Sequence, residues 1–279
     1  MIKFLPVLLA YTVIAEAITP EKLIIDAKQG DAIAQYNLAQ FYRKNTSSAN
    51  DRAIAFHWYT KAANQNHISS QYNLAVCYDN GDGTPQNKEK AVHWYNRAAE
   101  QGDIDSQYNL ALCFANGEGT LKDSKKAIYW FNKAAEQGDS ESQYNLAYYY
   151  DKGIGVDRDL SKAIYWYKVA ADQGHASSQY NLALKYGRGI GVTKDAKQAL
   201  ELYEQAAEQG HLHAIYNIAV IYIRGDGVDK DLIQAASFLY LAIQNNLFEA
   251  QQLLDSLNLS QEQKTRAQQL TKTLFTKNL

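Results

Sequence analysis

Proline is scarce in this chain, at three residues in 279, so few positions force a helix to stop. Basic charge has no surplus: 28 Lys and Arg face 30 Asp and Glu, for a formal net charge of −2. A phosphate backbone is held by an excess of Lys and Arg on one face, so nucleic-acid binding is not expected. Polar runs long enough to stay disordered are also missing. Frequent Ala and Tyr, with little Pro, suit a helical protein.

Cysteine is nearly absent too. Only Cys77 and Cys113 occur, 36 residues apart. Neighbouring helices lie roughly 8–10 Å apart, whereas a disulfide needs Cα atoms within about 7 Å. Two partly packed thiols are expected, with a bridge the less favoured alternative. Phe41, Tyr149, Lys185 and Ile221 stand at the same spacing, which marks a packing position.

Long hydrophobic runs are confined to the start, "MIKFLPVLLAYTVIAEA". Lys3 supplies a basic beginning, and Phe4 to Ile14 is apolar but too short to span a bilayer comfortably. Ala15 and Ala17 are the small residues that signal peptidase reads. Residues 1–17 are therefore expected to be a secretory signal peptide cleaved after Ala17, with an uncleaved anchor helix as the alternative. Periplasmic or secreted localisation follows. Loss of Lys3 and Glu16 leaves the net charge unchanged.

What the chain has in abundance is repetition. The pentapeptide "QYNLA" occurs at 35–39, 71–75, 107–111, 143–147 and 179–183, and "IYNIA" follows at 215–219. At 279 residues a compact chain would form about two domains, but a strict period points instead to stacked units sharing one continuous core. In residues 67–102, "ISSQYNLAVCY" carries apolar residues at helical spacing, with Leu74 and Tyr78 on one face. Two glycines interrupt, and "KEKAVHWYNRAAEQ" resumes a helix with Ala91, Trp94, Tyr95, Ala98 and Ala99 inward. Each unit is thus two antiparallel helices, A and B.

The columns repeat this grammar. The position after helix B reads Asn66, Gly102, Gly138, Gly174, Gly210 and Asn246, residue types that tolerate a left-handed end. Asp31, Asp103 and Asp139 follow such positions as N-caps. Paired glycines (Gly81 and Gly83, then Gly117 and Gly119, and onward) join A to B. The first unit has Asn45-Thr46-Ser47 instead and should be looser there. Paired alanines from Ala62-Ala63 to Ala206-Ala207 allow close helix approach. Trp58, Trp94, Trp130, Trp166, Leu202 and Phe238 are expected to fill the space between units, each contributing roughly 1.5–3 kcal/mol on burial.

The pattern A-Q-Y-N-L-A-x-x-Y, then G-x-G, then K-A-x-x-W-Y-x-x-A-A-x-Q-G resembles Sel1-like repeats, a branch of the tetratricopeptide-type helical hairpins. The resemblance covers residues 31–246 as six units of 36 residues. It departs mildly at Ala39, Ala75, Ala111, Ala147, Ala183 and Ala219, where the family usually has Gly. The fold implied is all-α, a right-handed α-solenoid of helix–turn–helix repeats. An N-terminal capping helix is expected within residues 18–30, opened by Thr19 with Pro20 at the first helical position. Residues 247–279 read as a half-repeat and a polar capping helix. Ser260 and Gln263 form its capping box, and Ala267, Leu270 and Leu274 lie on one side.

Signs of chemistry are few. The glycine loops lack the Lys-Ser/Thr of a phosphate loop. "DNGDG" at 79–83 places Gly81 and Gly83 where a calcium loop needs oxygen ligands. Arg224-Gly225-Asp226 is the ordinary loop of its unit. His57 and His93 share a phase with Tyr129 and Tyr165, and His67, His175 and His211 take the N-cap place of Asp103. Neither a metal-binding His or Cys pair nor a G-x-S-x-G elbow occurs. No catalytic residue, cofactor or metal is expected.

The remaining column is Asn37, Asn73, Asn109, Asn145, Asn181 and Asn217. Asn is a mediocre helix former and a polar group. In the tetratricopeptide-like stacks that the repeat resembles, helix A lines the concave face. A side-chain amide both donates and accepts, which suits an extended peptide backbone. Rungs about 9 Å apart would meet every third residue of a peptide rising about 3.3 Å per residue. Tyr72, Tyr108, Tyr144 and Tyr180, with Tyr36 and Tyr216, stand beside the rungs and suit ligand side chains. The alternatives are that the Asn column bonds the neighbouring unit and the Tyr column is core. The family resemblance implies a non-catalytic protein-interaction scaffold, often with cell-envelope or host partners in bacteria, and a monomer is expected. A β-lactamase-type or cell-wall hydrolase is the second reading, although no S-x-x-K sequence occurs. A self-assembling structural protein is the third, and the polar terminal helix argues against it.

Overall fold

The computed structural model describes residues 20–45 and 48–274. The expected signal segment at 1–17, the cap Thr19 and the Thr46–Ser47 loop lie outside the described residues. Among the described residues, regular structure is entirely helical, with fifteen helices. The chain divides into two compact units, one up to Gln101 and one from Gly102 onward.

The first unit contains α1 (Pro20–Gln29), α2 (Ala32–Asn45), α3 (Ala49–Asn64), α4 (Ile68–Asn80) and α5 (Lys88–Glu100). Each packs on the next, and α2–α3 and α4–α5 are the A–B hairpins. The second unit contains α6 (Ile104–Asn116), α7 (Ser124–Glu136), α8 (Ser140–Lys152), α9 (Leu160–Asp172), α10 (Ala176–Arg188), α11 (Ala196–Glu208), α12 (Leu212–Arg224), α13 (Leu232–Gln244), α14 (Glu249–Ser256) and α15 (Gln261–Thr271). Here α6–α7, α8–α9, α10–α11 and α12–α13 are hairpins, and α13 also packs on α14 and α15.

Capping follows the sequence. Asp103 and Asp139 accept the N–H groups of Ser106 and Ser142 at 2.8 and 2.7 Å. His67, His175 and His211 do the same through Nδ1, at 3.3, 3.2 and 3.3 Å. A neutral imidazole accepts at one nitrogen, so histidine substitutes for aspartate at this cap. Helix B ends in a left-handed residue each time, whether Gly102 or Gly138, or Asn66 and Asn246 with φ of 63° and 68°. The second loop glycine serves close approach: a Cβ on Gly155 would lie 2.5 Å from the Ser124 Cβ at the start of α7. Ser260 and Gln263 form the expected capping box.

The core runs along the stripe Ala91, Tyr95, Ala98 and Ala99 and its copies, a spacing of i, i+4, i+7 and i+8. The expectation for Trp holds in part: Trp58, Trp94 and Trp166 pack against the core without being enclosed by it. Trp58, Trp94, Trp130 and Trp166 lie at the flank of that stripe and are only partly buried. The fully enclosed column is one residue later, at Tyr59, Tyr95, Phe131, Tyr167, Tyr203 and Leu239. At the Trp phase only Leu202 and Phe238 are buried. Lys61 and Arg97 instead cover the Trp58 and Trp94 rings, 4.8 and 5.2 Å from the ring centres. Cys77 and Cys113 are both buried thiols. Their phase is a packing position in Tyr149, Lys185 and Ile221 as well, whereas Phe41 is exposed.

Candidate functional site

The A helices carry two amide columns two residues apart, and the fold uses them differently. Gln35, Gln71, Gln107, Gln143 and Gln179 are buried. Each accepts from a Gln at the end of helix B of its own hairpin: Gln65, Gln101, Gln137, Gln173 and Gln209, at 2.6–2.8 Å. The same side chain donates backward to the preceding helix B. Gln143 Nε2 meets the Ala135 carbonyl at 3.1 Å, Gln179 meets Ala171 at 3.3 Å, and Gln71 meets Ala63 at 3.2 Å. One amide thus joins three helices. The sixth hairpin has Ile215 in place of this Gln, buried without polar groups to satisfy. Sequence reading passed over this column, although Gln recurs with the same period as Asn.

The Asn column turns back on its own helix. Asn73, Asn109, Asn145 and Asn181 each donate Nδ2 to the carbonyl four residues earlier: Ser69, Asp105, Glu141 and Ser177, at 2.7–2.9 Å. A backbone carbonyl needs a donor, so the amide oxygen must point the other way. In Asn73 that oxygen accepts from Arg43 at 2.6 Å, and the residue is buried. Asn37, Asn109, Asn145, Asn181 and Asn217 are partly exposed. Asn181 also shares a hydrogen bond with the Tyr144 hydroxyl of the preceding hairpin.

The Tyr column lies between surface and core. Tyr72 leans on Tyr95 at 6.2 Å, Tyr108 on Phe131 at 6.1 Å, Tyr144 on Tyr167 at 6.1 Å and Tyr180 on Tyr203 at 5.8 Å. The cap histidines cover the column from the side: His67 on Tyr36, His175 on Tyr144 and His211 on Tyr180, at 4.4–5.0 Å. Burial raises the Tyr144 hydroxyl's pKa, and a hydrogen bond from Asn181 partly offsets that. Burial also raises Tyr203 strongly, opposed by Arg188 and a hydrogen bond from Asn217. The Asn and Tyr columns therefore form one polar, aromatic surface on the A helices of each unit, with half-buried rings held by the core behind them.

Two further features had no counterpart in the sequence reading. Asp151 and Lys185, on α8 and α10, form a buried ion pair at 2.6 Å. A cavity of about 120 Å³ opens one repeat later, between α10, α11 and α12. A group of His, Cys, Asp and Glu able to hold a metal does not occur among the described residues. No described helix is long and apolar enough to cross a membrane.

The Sel1 repeat model matches six consecutive segments, 32–67, 68–103, 104–139, 140–175, 176–211 and 212–247. The chain belongs to the Sel1 repeat family. A Sel1 repeat protein from Oxalobacter formigenes is 31% identical, with a TM-score of 0.66, over 81% of this chain and 88% of that one. The protein c5321, a protective antigen present in uropathogenic Escherichia coli strains, is 25% identical with the same TM-score of 0.66. That match covers 92% of this chain and 71% of the antigen. A search of curated proteins gives no match. The all-α solenoid architecture is thereby established. Sel1 repeat proteins are in general protein-interaction scaffolds, and the family is typically non-catalytic.

Proposed function

We propose that this Sel1 repeat protein is an exported, non-catalytic scaffold that holds an extended polypeptide against the Asn and Tyr columns of its A helices. It works in the periplasm or outside the cell, as a monomer. The observation that carries this reading is the division of labour between the amides. Gln143 and its equivalents supply the regular bonds between helices. In the Asn column, Asn73 meets Arg43 and Asn181 meets Tyr144 of the preceding hairpin, while Asn109 and Asn145 bond their own helix. The Nδ2 bonds hold the oxygens of Asn109, Asn145 and Asn181 in one orientation, ready to accept peptide N–H groups. Acceptors fixed before binding cost less conformational entropy than free ones. Half-buried Tyr rings between them offer rigid apolar surface. The likeness to an antigen of uropathogenic bacteria agrees with a role facing a host.

The test is selection of a displayed library of random 12-residue peptides on the full-length chain. A variant with Asn109, Asn145 and Asn181 changed to Ala is run in parallel. Peptides retained by the wild type and lost by a variant of equal melting temperature support the reading. Equal retention by both would move the groove elsewhere.

A further inference from the structure

The α8–α10 junction and the α10–α12 junction are counterparts 36 residues apart, and they differ at all three positions of one charged cluster. In the first, Asp151 on α8 lies between Lys185 of α10, at 2.6 Å, and Arg158 of the following loop, at 3.8 Å. In the second, Asp151 is replaced by Gly187, Lys185 by Ile221 and Arg158 by Lys194. The internal carboxylate is gone and the cation from the loop stays.

The place once filled by a side chain is now the cavity of about 120 Å³, lined by Gly187, Ile221, Lys194, Tyr203 and Asn217. A Cβ on Gly187 would meet the Ala199 Cβ at 3.6 Å, ordinary contact distance, so glycine here makes room and relieves no clash. Arg188 and Arg224 also line the cavity, opposed by the single carboxylate of Asp226. Three cations, all on exposed residues, therefore lie around its mouth, and among the described residues none of the three makes an ion pair. The volume suits a short acidic group; drug-sized ligands occupy about 300–1,000 Å³. Asn217 belongs to the proposed peptide-binding column, so the cavity opens beside the path of the chain.

We propose that this cavity binds a carboxylate of the partner polypeptide, taking the place that Asp151 occupies in the preceding repeat. Lys194, Arg188 and Arg224 supply the charge, and the Asn217 amide and Tyr203 hydroxyl supply hydrogen-bond donors. The proposal rests on the peptide-binding reading for the source of the carboxylate but not for the site. An Asp or Glu side chain and a C-terminal carboxylate share the chemistry.

The first measurement is a titration of the full-length chain with sodium acetate, followed by the NMR signals of the Gly187 backbone amide and the Asn217 side-chain amide. Acetamide, and sodium chloride at matched ionic strength, are the controls. Saturable shifts with acetate alone, abolished in the double variant Arg188→Glu, Arg224→Glu, are expected. An equal response to acetamide or chloride, or an unchanged response in the variant, overturns the site. The second arm uses a peptide selected on the wild type, with each Asp or Glu changed to Asn or Gln and, separately, its C-terminus amidated. One of these changes is expected to weaken binding about tenfold or more, and the one that does names the source. Peptides indifferent to both changes overturn the proposal. Acetate binding without any selected peptide would remove the polypeptide reading while leaving the carboxylate site.

Discussion

Gln143 and Asn145 carry the same functional group, two residues apart on one helix, and contribute in opposite ways. Gln143 is buried and connects α8 to the helices before and after it. Asn145 is partly exposed and donates to its own helix at the Glu141 carbonyl. The difference is one of angle: two residues along a helix is about 200° around it. An amide on the inner side is an organ of the stack, and the same amide on the outer side is free to act on something else.

The inner side should respond most. Lys185→Met removes one partner of a buried ion pair and leaves Asp151 without its nearest counter-charge. A loss of about 3–5 kcal/mol in urea unfolding is expected. The companion variant Asp151→Gly with Lys185→Ile, which copies the next repeat, should recover most of it. Gln143→Ala comes second. It removes the partner of Gln173 and leaves the Ala135 carbonyl with the Gly138 N–H alone, and should cost about 1–3 kcal/mol.

The outer side should respond least. Asn145→Ala deletes a bond to a carbonyl that is already the helix's own, so about 0.5 kcal/mol or less is expected by the same unfolding measurement. A loss as large as that of Gln143→Ala would erase the distinction between the columns. Acidity provides a graded comparison at the caps. Burial lowers the pKa of His67 and of His211, the latter aided by His213. A His whose folded pKa is below its unfolded value is protonated more readily in the unfolded chain. Stability is therefore full above the unfolded value and falls as pH drops through it. Melting temperature should decline from pH 7.5 to 5.5, and His67→Asp with His211→Asp should flatten that decline. The smallest effect is chemical. Burial pushes the Cys77 thiol up to about 12, so iodoacetamide should label it only slowly in the native chain at pH 7.5.

Sequence periodicity was enough for the fold, because each structural requirement recurs at one phase: Gly or Asn after helix B, Asp or His before helix A, Ala pairs between. It set Trp94 and Tyr95 inward alike, since both are aromatic and adjacent, and only the stripe defined by Ala91, Ala98 and Ala99 tells the enclosed one from the flanking one. Gln143 went unread because a buried Gln looks like an exposed one until its partner is known, and that partner, Gln173, is thirty residues away. The cavity was hidden for a different reason. It arises from departures from the repeat, at Gly187, Ile221 and Lys194, and a reading built on likeness averages departures out.

The Asp151–Lys185 pair also bears on how such a chain finds its own order. Five copies of one pentapeptide make neighbouring hairpins nearly interchangeable, so a hairpin docked one repeat out of place would satisfy most of its contacts. A mismatched dock would instead press Lys185 against an apolar side chain with no counter-charge. One junction thus carries an address that the others lack, and the assembly can be counted from it in both directions.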